Sequence, residues 1–595
     1  MDTTDAVMDI AKRRGFLYPA FEVYGGLAGF YDYGPLGAGM KRRFEELWRH
    51  VFVRQNVVPM AEVACPRVTM DDVLKASGHV DEFTDLVVVC KNGHPSRADH
   101  LVEAAGYEGT ADALTAQEID VEIADRKAKC PVCGDQGWSQ AAPLNLMNAT
   151  EIGPGSGRTG YLRPETAQGI FTDFPHLLRY FRGKLPFAGV QVGGSNRNEI
   201  SPRQGMLRLR EFHMMECEAF FEDTDRPFEG FPEIQDRLAT FVPNTDERPH
   251  DMTFGQAVGD GVVKNEALAY FLAKTQEFLL LAGMDPKRLR FRQHLDTEMA
   301  HYASDCWDAE FHSDRYGWVE CVGVADRGCY DLQQHATHSG KTGDFQVTVD
   351  FDTPFEFHAR KIEPVMGILG RTFKAEAKKI AAAMEAVFDD QVQSLAKHEG
   401  FDAAWLNDEL VISGPKDSAP GTEPLMLVID GDEVEVPAEG YQVIDGTWKV
   451  TGRKLIPRVI EPSFGVDRIL YALWEHAHEA GEKNGEPYTV LHLSKHVAPI
   501  QVAVLPLTGK DGLPDAAKMV ETGLRNMGVM TDYDASGAIG RRYARQDEVG
   551  TPYCVTIDND TPTDGAVTVR DRDTTEQERV AIGELPLWLQ QHFTL

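Results

Sequence analysis

The chain has 595 residues, with 60 Lys+Arg against 93 Asp+Glu and a formal net charge of −33. Its 42% hydrophobic and 26% charged residues furnish a core and exclude disorder as a class. No apolar run reaches the ~18 residues of a membrane span, the N-terminal segment lacks a signal peptide's order, and nine cysteines fit a reducing cytoplasm better than a disulfide scaffold.

In chain order, GFLYPAFEVYGGLAGFYDYGPLG is aromatic and Gly-rich and reads as a closely packed segment. Met40, Phe44, Leu47, Trp48, Val51 and Phe52 then recur at helical spacing, after a break at Gly34-Pro35 and Gly37. From about Leu86 to Leu144, Cys90, His94, Cys130 and Cys133 bracket an acidic helical stretch, the mark of an inserted module. Alternating apolar residues between Leu162 and Phe221, such as Val190 and Val192, predict strands of an antiparallel sheet. Residues 222–300 are acidic and Pro-rich, then helical around Ala267–Leu281. A long helix is predicted over Thr372–Lys397, and 401–450 is very acidic with hairpin-like strands. From about His496, the run IQVAVLPL, a helix over Ala516–Met527 and the run CVTID alternate as a parallel α/β domain.

Two constellations carry chemistry. Cys90-x3-His94 and Cys130-x2-Cys133 are two short chelating pairs of the kind tetrahedral zinc takes. The Gly after Cys133 permits a tight turn under a metal. The alternatives are two unrelated buried thiols beside an exposed His, or His100 in place of His94. The second constellation is GGSNRNEISPRQGMLRLREFHMMECEAFF at 193–221. Arg197 and Glu199 share one face of a strand, Ser201–Gly205 reads as a loop, and Met206, Arg208, Arg210 and Phe212 alternate on a second strand. Guanidinium forks suit phosphate oxygens, and a Phe among them suits a base.

RNEISPRQGMLRLREF resembles motif 2 of class II aminoacyl-tRNA synthetases, in the wording of the dimeric glycyl-tRNA synthetases. EPSFGVDRILYALWEH (461–476) resembles motif 3, and GPLGAGMKRRFEELWRHVFV resembles motif 1. LRPETAQGIF, CWDAEF, GWVECVGVADRGCYDL and IGRRYARQDEVGTPYCVTID are similar to further family blocks, in family order from about Gly15 to Asp558. The resemblance implies an α+β class II catalytic domain, an antiparallel sheet flanked by helices with inserted modules, and a C-terminal α/β anticodon-binding domain. The boundaries read as catalytic 1–85 with motif 1, an inserted candidate zinc module 86–144, catalytic 145–221 with motif 2, and an acidic insertion 222–300. Catalytic 301–370, a helical and acidic insertion 371–450, catalytic 451–494 with motif 3, and an anticodon-binding domain 495–595 follow.

The activity implied is glycine--tRNA ligation: glycine and ATP give glycyl-adenylate, and the acyl group moves to the 3′ end of tRNA(Gly). Positioning and charge stabilisation suffice for the first step, so no protein nucleophile is expected. By resemblance Arg197 and Arg468 are the catalytic arginines, Arg197 on the α-phosphate, Arg468 and Arg208 on the β- and γ-phosphates. Glu199 meets the adenine, Phe212 stacks on it, and Glu320 with Cys321 binds ATP through Mg2+. The implied ATP-binding set also includes Asn198, Leu207, Leu209, Arg210, Glu211, Glu461, Pro462, Ser463 and Phe464. The implied glycine set is Glu165, Glu216, Glu461 and Ser463 around the ammonium, Arg327 on the carboxylate, with Phe212 and Arg97. Selectivity for the smallest amino acid then has to come from excluding larger ones. Segment 76–88 is expected near the acceptor end, and Arg541, Arg542, Arg545 and Gln546 near the anticodon.

Partners implied are tRNA(Gly), glycine, ATP and a second copy of the chain through the motif 1 region, with a cytoplasmic location and no membrane. A non-enzymatic paralogue would be expected to lose Arg197, Glu199 or Arg468, and all three are present. A ligase acting on a free small molecule would not need the anticodon blocks. The charge of −33 argues at first against a polyanion. Yet only 23 of the basic residues are Lys against 37 Arg, and excess acid with few Lys fits a surface adapted to molar salt. There the Debye length is about 3 Å and net charge no longer dictates partners.

Overall fold

The computed structural model describes residues 3–109, 111, 114–155, 157–200, 202, 205–295, 303–398, 409–483 and 485–594. Ser201, Arg203 and Gln204 of the expected loop, and 401–408 of the acidic stretch, lie outside them. Among the described residues no helix is long and apolar enough to cross a membrane.

The centre of the larger compact unit (Met1–Leu177, Pro186–Ser339, Arg458–Leu595) is a nine-stranded sheet. Its strands are β1 (Met60–Glu62), β2 (Phe187–Asn196), β3 (Glu211–Phe221), β4 (Leu238–Val242), β5 (His250–Thr253), β6 (Leu289–Gln293), β7 (Asp305–Ser313), β8 (Gly317–Gly328) and β9 (Arg458–Gly465). Their order is β5-β4-β6-β7-β8-β9-β3-β2-β1. Pairing is antiparallel except for β1 with β2 and β4 with β6. Strand β3 is buried without a break from Met214 to Phe221, as a strand covered on both faces must be.

Three helices supply much of the cover: α1 (Pro35–Trp48), α2 (Glu266–Ala282) and α3 (Val466–Ala477). The predicted stripe is right: Met40, Phe44, Leu47, Trp48, Val51 and Phe52 are all buried. Regular α-geometry nevertheless ends at Trp48, and a π-helical turn, Arg49–Arg54, carries Val51 and Phe52 onward. Pro35 starts α1, where its missing N–H costs nothing. Glycine at 37 is dictated by a neighbour, since a Cβ there would lie 1.9 Å from the Phe16 carbonyl oxygen.

Segment 222–300, expected as an acidic insertion, is instead integral to the sheet. It supplies β4, β5, β6 and α2, whose sequence EALAYFLAKTQEFLLLA is apolar nearly all round and buried on most positions. Averaged composition hid it: among the described residues most of the acids lie outside β4–β6 and α2, Asp251, Glu266 and Glu277 excepted. The expected boundary at 370/371 moves as well. A second compact unit comprises Leu178–Leu185 and Gly340–Pro457, because the long strand Val347–Pro364 pairs along Tyr441–Leu455 and cannot be divided from it. Within that unit the predicted long helix runs Ala377–His398; it starts late because Lys374, after the helix Met366–Phe373, takes a φ of 50°.

In the module expected at 86–144, the strand Thr84–Val89 pairs with Pro95–Arg97 and with Ala142–Asn145. Val88, Leu101, Val102, Ile119 and Ile123 form a small core of its own. The C-terminal strands β10 (Val502–Pro506), β11 (Thr531–Tyr533), β12 (Tyr553–Ile557), β13 (Ala566–Asp571) and β14 (Gln577–Ala581) are ordered β11-β10-β12-β13-β14. Only β11, β10 and β12 are parallel, as predicted; β13 and β14 are antiparallel. A parallel return needs a crossover of a dozen or so residues, and the links here are too short for one.

Candidate active site

Register alone assembles the site. Ser195 lies opposite Phe212 and Asn196 opposite Glu211 across β2–β3; Glu216 lies opposite Ser463 across β3–β9; Gly323 lies opposite Ser463, and Ala325 opposite Glu461, across β8–β9. Strands β8, β9 and β3 thus floor one cleft, open to solvent and walled by the segment that follows β2. Arg197, Glu199, Leu207, Arg208, Leu209, Phe212, Glu320, Cys321, Ser463 and Arg468 all line it.

At the cationic end, Arg197 and Glu199 follow β2 rather than share its face. The ladder closes with Arg197 N–H donating to the Arg210 carbonyl (3.0 Å). The predicted second strand starts only at Glu211; residues 205–207 form a 3-10 turn entered through Gly205 at a φ of 59°. The alternation across Met206–Arg210 is therefore not strand periodicity. Arg197 Nε donates to the Pro164 carbonyl (3.2 Å), and its guanidinium sits 5.1 Å from the Phe83 ring centre and 5.3 Å from that of Phe212. Arg468, in the first turn of α3, donates from Nε to the Leu207 carbonyl (3.0 Å) and from Nη1 to the Glu320 carbonyl and carboxylate (3.0 and 3.1 Å). Arg208 lies 3.8 Å from Glu199 and 3.4 Å from His100 Nδ1. Carbonyls and rings thus aim these arginines into a cleft that is still wet.

Other members of the expected nucleotide set do different work. Arg210 turns away, donating to the carbonyls of Glu199 and Ala28 (3.1 Å each). Glu211 pairs with Arg67 (2.6 Å), and Asn198 N–H donates to the Leu146 carbonyl. Along β9, Glu461, Ser463 and Gly465 share one face, so Pro462 and Phe464 take the other. Phe464 is buried against Trp48, Phe52 and Phe278, so its ring cannot meet a nucleotide. The Cys321 thiol is spent on the Ala309 carbonyl (3.3 Å).

Behind Ser463 the site becomes buried and acidic. Glu216 accepts from Thr166 N–H (2.7 Å), the Thr166 hydroxyl and Ser463 Oγ (2.8 Å). Glu165 accepts from Gln168 Nε2 (3.0 Å) and faces His79 Nε2 (3.3 Å). Burial opposes its ionisation, but His79 and Arg327 outweigh burial and hold its carboxyl well below the usual range. Arg327, expected on the substrate carboxylate, is clamped by Asp331 (2.7 and 2.9 Å) and also donates to Glu461. Burial, offset in part by Arg327 and reinforced by Glu216 and Glu165, pushes Glu461 up to about 7. Arg97, expected in the same set, is held by Asp99 (2.7 Å) and Asp85 (3.3 Å).

Sequence reasoning missed Glu218, His79 and Phe83. Glu218 is fully buried, neither carboxyl oxygen has a hydrogen-bond partner among the described residues, and burial with Glu461 nearby raises it well above the carboxylate range. Its spacing of two from Glu216 on one strand was the available signal.

The four candidate metal ligands converge. Cys90 Sγ is 3.4 Å from His94 Nδ1 and 3.8 Å from Cys133 Sγ, and Cys130 Sγ is 3.8 Å from His94 Nδ1. All four ligand atoms lie within 4.8 Å of one another. With Zn–S of about 2.3 Å, a tetrahedron has S···S edges of about 3.8 Å, so the donor set fits zinc. Gly93 and Gly134 close the two turns at φ of 81° and 74°, and His100 belongs to Arg208 instead.

In the C-terminal domain Arg542 and Gln546 are buried and structural. Arg542 donates to the carbonyls of Pro506, Ala535, Ser536 and Gly537, and Gln546 to Asp532. Arg545 is tied to Asp534, and Arg541 is exposed.

Residues 501–592 match the family described as anticodon binding domain. A glycine--tRNA ligase of Methanothrix thermoacetophila is 44% identical, over 98% of this chain and 95% of its own length. Another, from Methanocaldococcus jannaschii, is 42% identical over 99% of each. A crystal structure of prolyl-tRNA synthetase from Cryptosporidium parvum is 12% identical, covering 100% of this chain and 77% of that one at a TM-score of 0.49.

Proposed function

The chain belongs to the glycine--tRNA ligase family of class II aminoacyl-tRNA synthetases, and from that premise we propose how its own residues run the reaction. Glycine's carboxylate attacks the α-phosphorus of ATP, pyrophosphate leaves, and a ribose hydroxyl of the tRNA end then displaces AMP from the glycyl carbonyl. Arg197 steadies the charge on the α-phosphate; Arg468 and Arg208 take the outer phosphates. One face of Phe212 backs Arg197, leaving the other for the base, with Glu199 beside it. ATP enters with Mg2+ in this class of enzyme, and Glu320 is the carboxylate on the cleft wall suited to it.

The observation that carries the reading is Ser463. It lines the phosphate cleft and also holds Glu216 (2.8 Å), joining the cationic cleft to a buried acidic pocket through one hydroxyl. An ammonium is the ligand such a pocket suits: paired carboxylates repel when empty and are relieved by a cation. Glu165, Glu216, Glu461 and Ser463 receive it. Because Arg327 is already balanced by Asp331 and Glu461, it acts on the substrate carboxylate only as a shared charge.

Cys90, His94, Cys130 and Cys133 hold a structural zinc that closes the module over its small core; metal analysis of the purified protein should give one zinc per chain. Two copies associate through the region around α1, where Phe21, Val23, Tyr24 and Leu27 expose apolar side chains. The acidic surface makes activity rise with KCl. Glycine-dependent ATP–pyrophosphate exchange, followed by charging of tRNA, tests the whole. Exchange driven better by alanine or serine would overturn the substrate.

A further inference from the structure

The side chain that meets Glu165 is His79, in the segment 76–88 that was expected only to lie near the acceptor end. Its backbone is pinned: Asn145 Nδ2 donates to the carbonyls of His79 (3.3 Å) and Val80 (2.9 Å). Gly78, at a φ of 82°, turns the chain into the short helix His79–Glu82. The ring is held at both nitrogens, with Nε2 on Glu165 (3.3 Å) and Nδ1 2.8 Å from Ser77 Oγ. The Ser77 hydroxyl itself donates to the carbonyls of Val73 and Leu74 (3.3 Å each). The Ser77 hydroxyl thus fixes Nδ1, while Nε2 faces the Glu165 carboxylate, which only accepts, and donates to it. Burial opposes the charge; Glu165 prevails over Arg197 and Arg327 and raises the ring's pKa.

The neighbours make the position informative. His79 packs on Phe83 (ring centres 5.4 Å apart), and Phe83 lies against Arg197 (5.1 Å). Residues 79–83 therefore touch both ends of the reaction centre, the ring at the amino-group end and Phe83 at the phosphate end. Glu216 is satisfied by neutral donors and Arg327 is locked among carboxylates. An ammonium lodged between Glu165 and Glu216 is then bounded, on the Glu165 side, by the imidazole.

We propose that His79 is a specificity-determining residue of the amino-group pocket: its ring, anchored by Ser77 and Glu165, fills the space that a substituent on the substrate's α-carbon would need. The inference rests on the assignment of glycine to this pocket. A lining that only loses a contact discriminates one methylene by about 10–200-fold. A ring fixed by one hydrogen bond and one ion pair yields less, so it excludes.

The test uses the full-length protein in ATP–pyrophosphate exchange with glycine and with alanine, for wild type, His79→Ala and His79→Gln. His79→Ala should raise the alanine-to-glycine ratio of kcat/KM about 10-fold, mainly by lowering the KM for alanine. His79→Gln, which refills the space and keeps a donor toward Glu165, should restore most of the discrimination. An unchanged ratio in His79→Ala overturns the inference, and so does a glutamine variant as permissive as alanine. A wild-type enzyme that exchanges without preferring glycine overturns the substrate reading instead, so the two failures are distinguishable.

Discussion

The two ends of the cleft share strand β3 and lie on either side of Ser463, yet they meet charge in opposite ways. At the cationic end, where the phosphates are proposed to bind, the arginines stay in reach of water and are aimed by backbone carbonyls and aromatic faces, with Glu199 and Glu320 as light counter-charges. At the buried acidic end the carboxylates' charge is met by hydroxyls and by Arg327, and burial raises Glu461 and Glu218 above the usual carboxylate range. A wet site can hold surplus charge through screening. A buried one has to neutralise it before the ligand arrives. The net charge of −33 says nothing about either end, because each sets its own local balance.

The phosphate end should break hardest. Arg197→Ala or Arg468→Ala removes a preorganised charge where charge develops, and should lower the kcat of pyrophosphate exchange about 10³-fold. The KM for glycine should stay within a few-fold. If either variant instead raised the glycine KM with kcat intact, the division between the ends would be wrong.

Next in size is Glu216→Gln, which keeps shape but removes charge and leaves the Thr166 and Ser463 donors badly matched. Glycine kcat/KM should fall about 10²-fold, while ATP binding by the same variant, measured by calorimetry, should be unchanged. Normal adenylate formation would remove Glu216 from the ammonium site.

The C-terminal domain extends the contrast to arginines that present a guanidinium and arginines that consume one. Arg542→Ala strands several buried carbonyls and should cost about 2–4 kcal/mol of that domain's stability, read in thermal melts. Arg541→Ala should leave the melt unchanged and weaken tRNA charging a few-fold without touching pyrophosphate exchange. The sequence could not separate these two adjacent arginines: burial at 542 is a property of helix Ile539–Glu548 lying over the ends of β10 and β11. The same limit explains the misread at 206–210. Alternation of side-chain type was real, but Gly205 and the tie from Arg210 N–H to the Gly29 carbonyl bend the chain into a turn. Motif wording picked out Glu216, Glu461 and Ser463, which strand register brings together across β3 and β9. It pointed to the segment 76–88 near the acceptor end but gave no role to His79 or Phe83, whose contacts with Glu165 and Arg197 come from elements far apart in the chain. The all-apolar helix α2 was legible as a helix, though its membership in the central sheet's cover was not.

The smallest effect is also the cleanest probe of the buried end. Burial and the neighbouring Glu461 raise the Glu218 carboxyl well above the usual carboxylate value in the folded protein, whereas the unfolded chain releases its proton near that value. The folded state therefore binds more protons as pH rises past that value, and stability must fall with pH until the folded group itself ionises. Glu461 adds a similar loss that ends near its own value of about 7. Glu218→Gln supplies permanently the neutral, isosteric form. Between pH 5 and 8 the wild-type stability in denaturant should decline more steeply than that of the variant, by about 1.4 kcal/mol for each pH unit over which the folded group holds its proton. Exchange activity near neutral pH should be retained, since the glutamine matches the protonated state already present. Parallel stability curves would mean that Glu218 ionises in the folded protein like an exposed carboxylate, and the amino-acid end would then carry its surplus charge just as the phosphate end does.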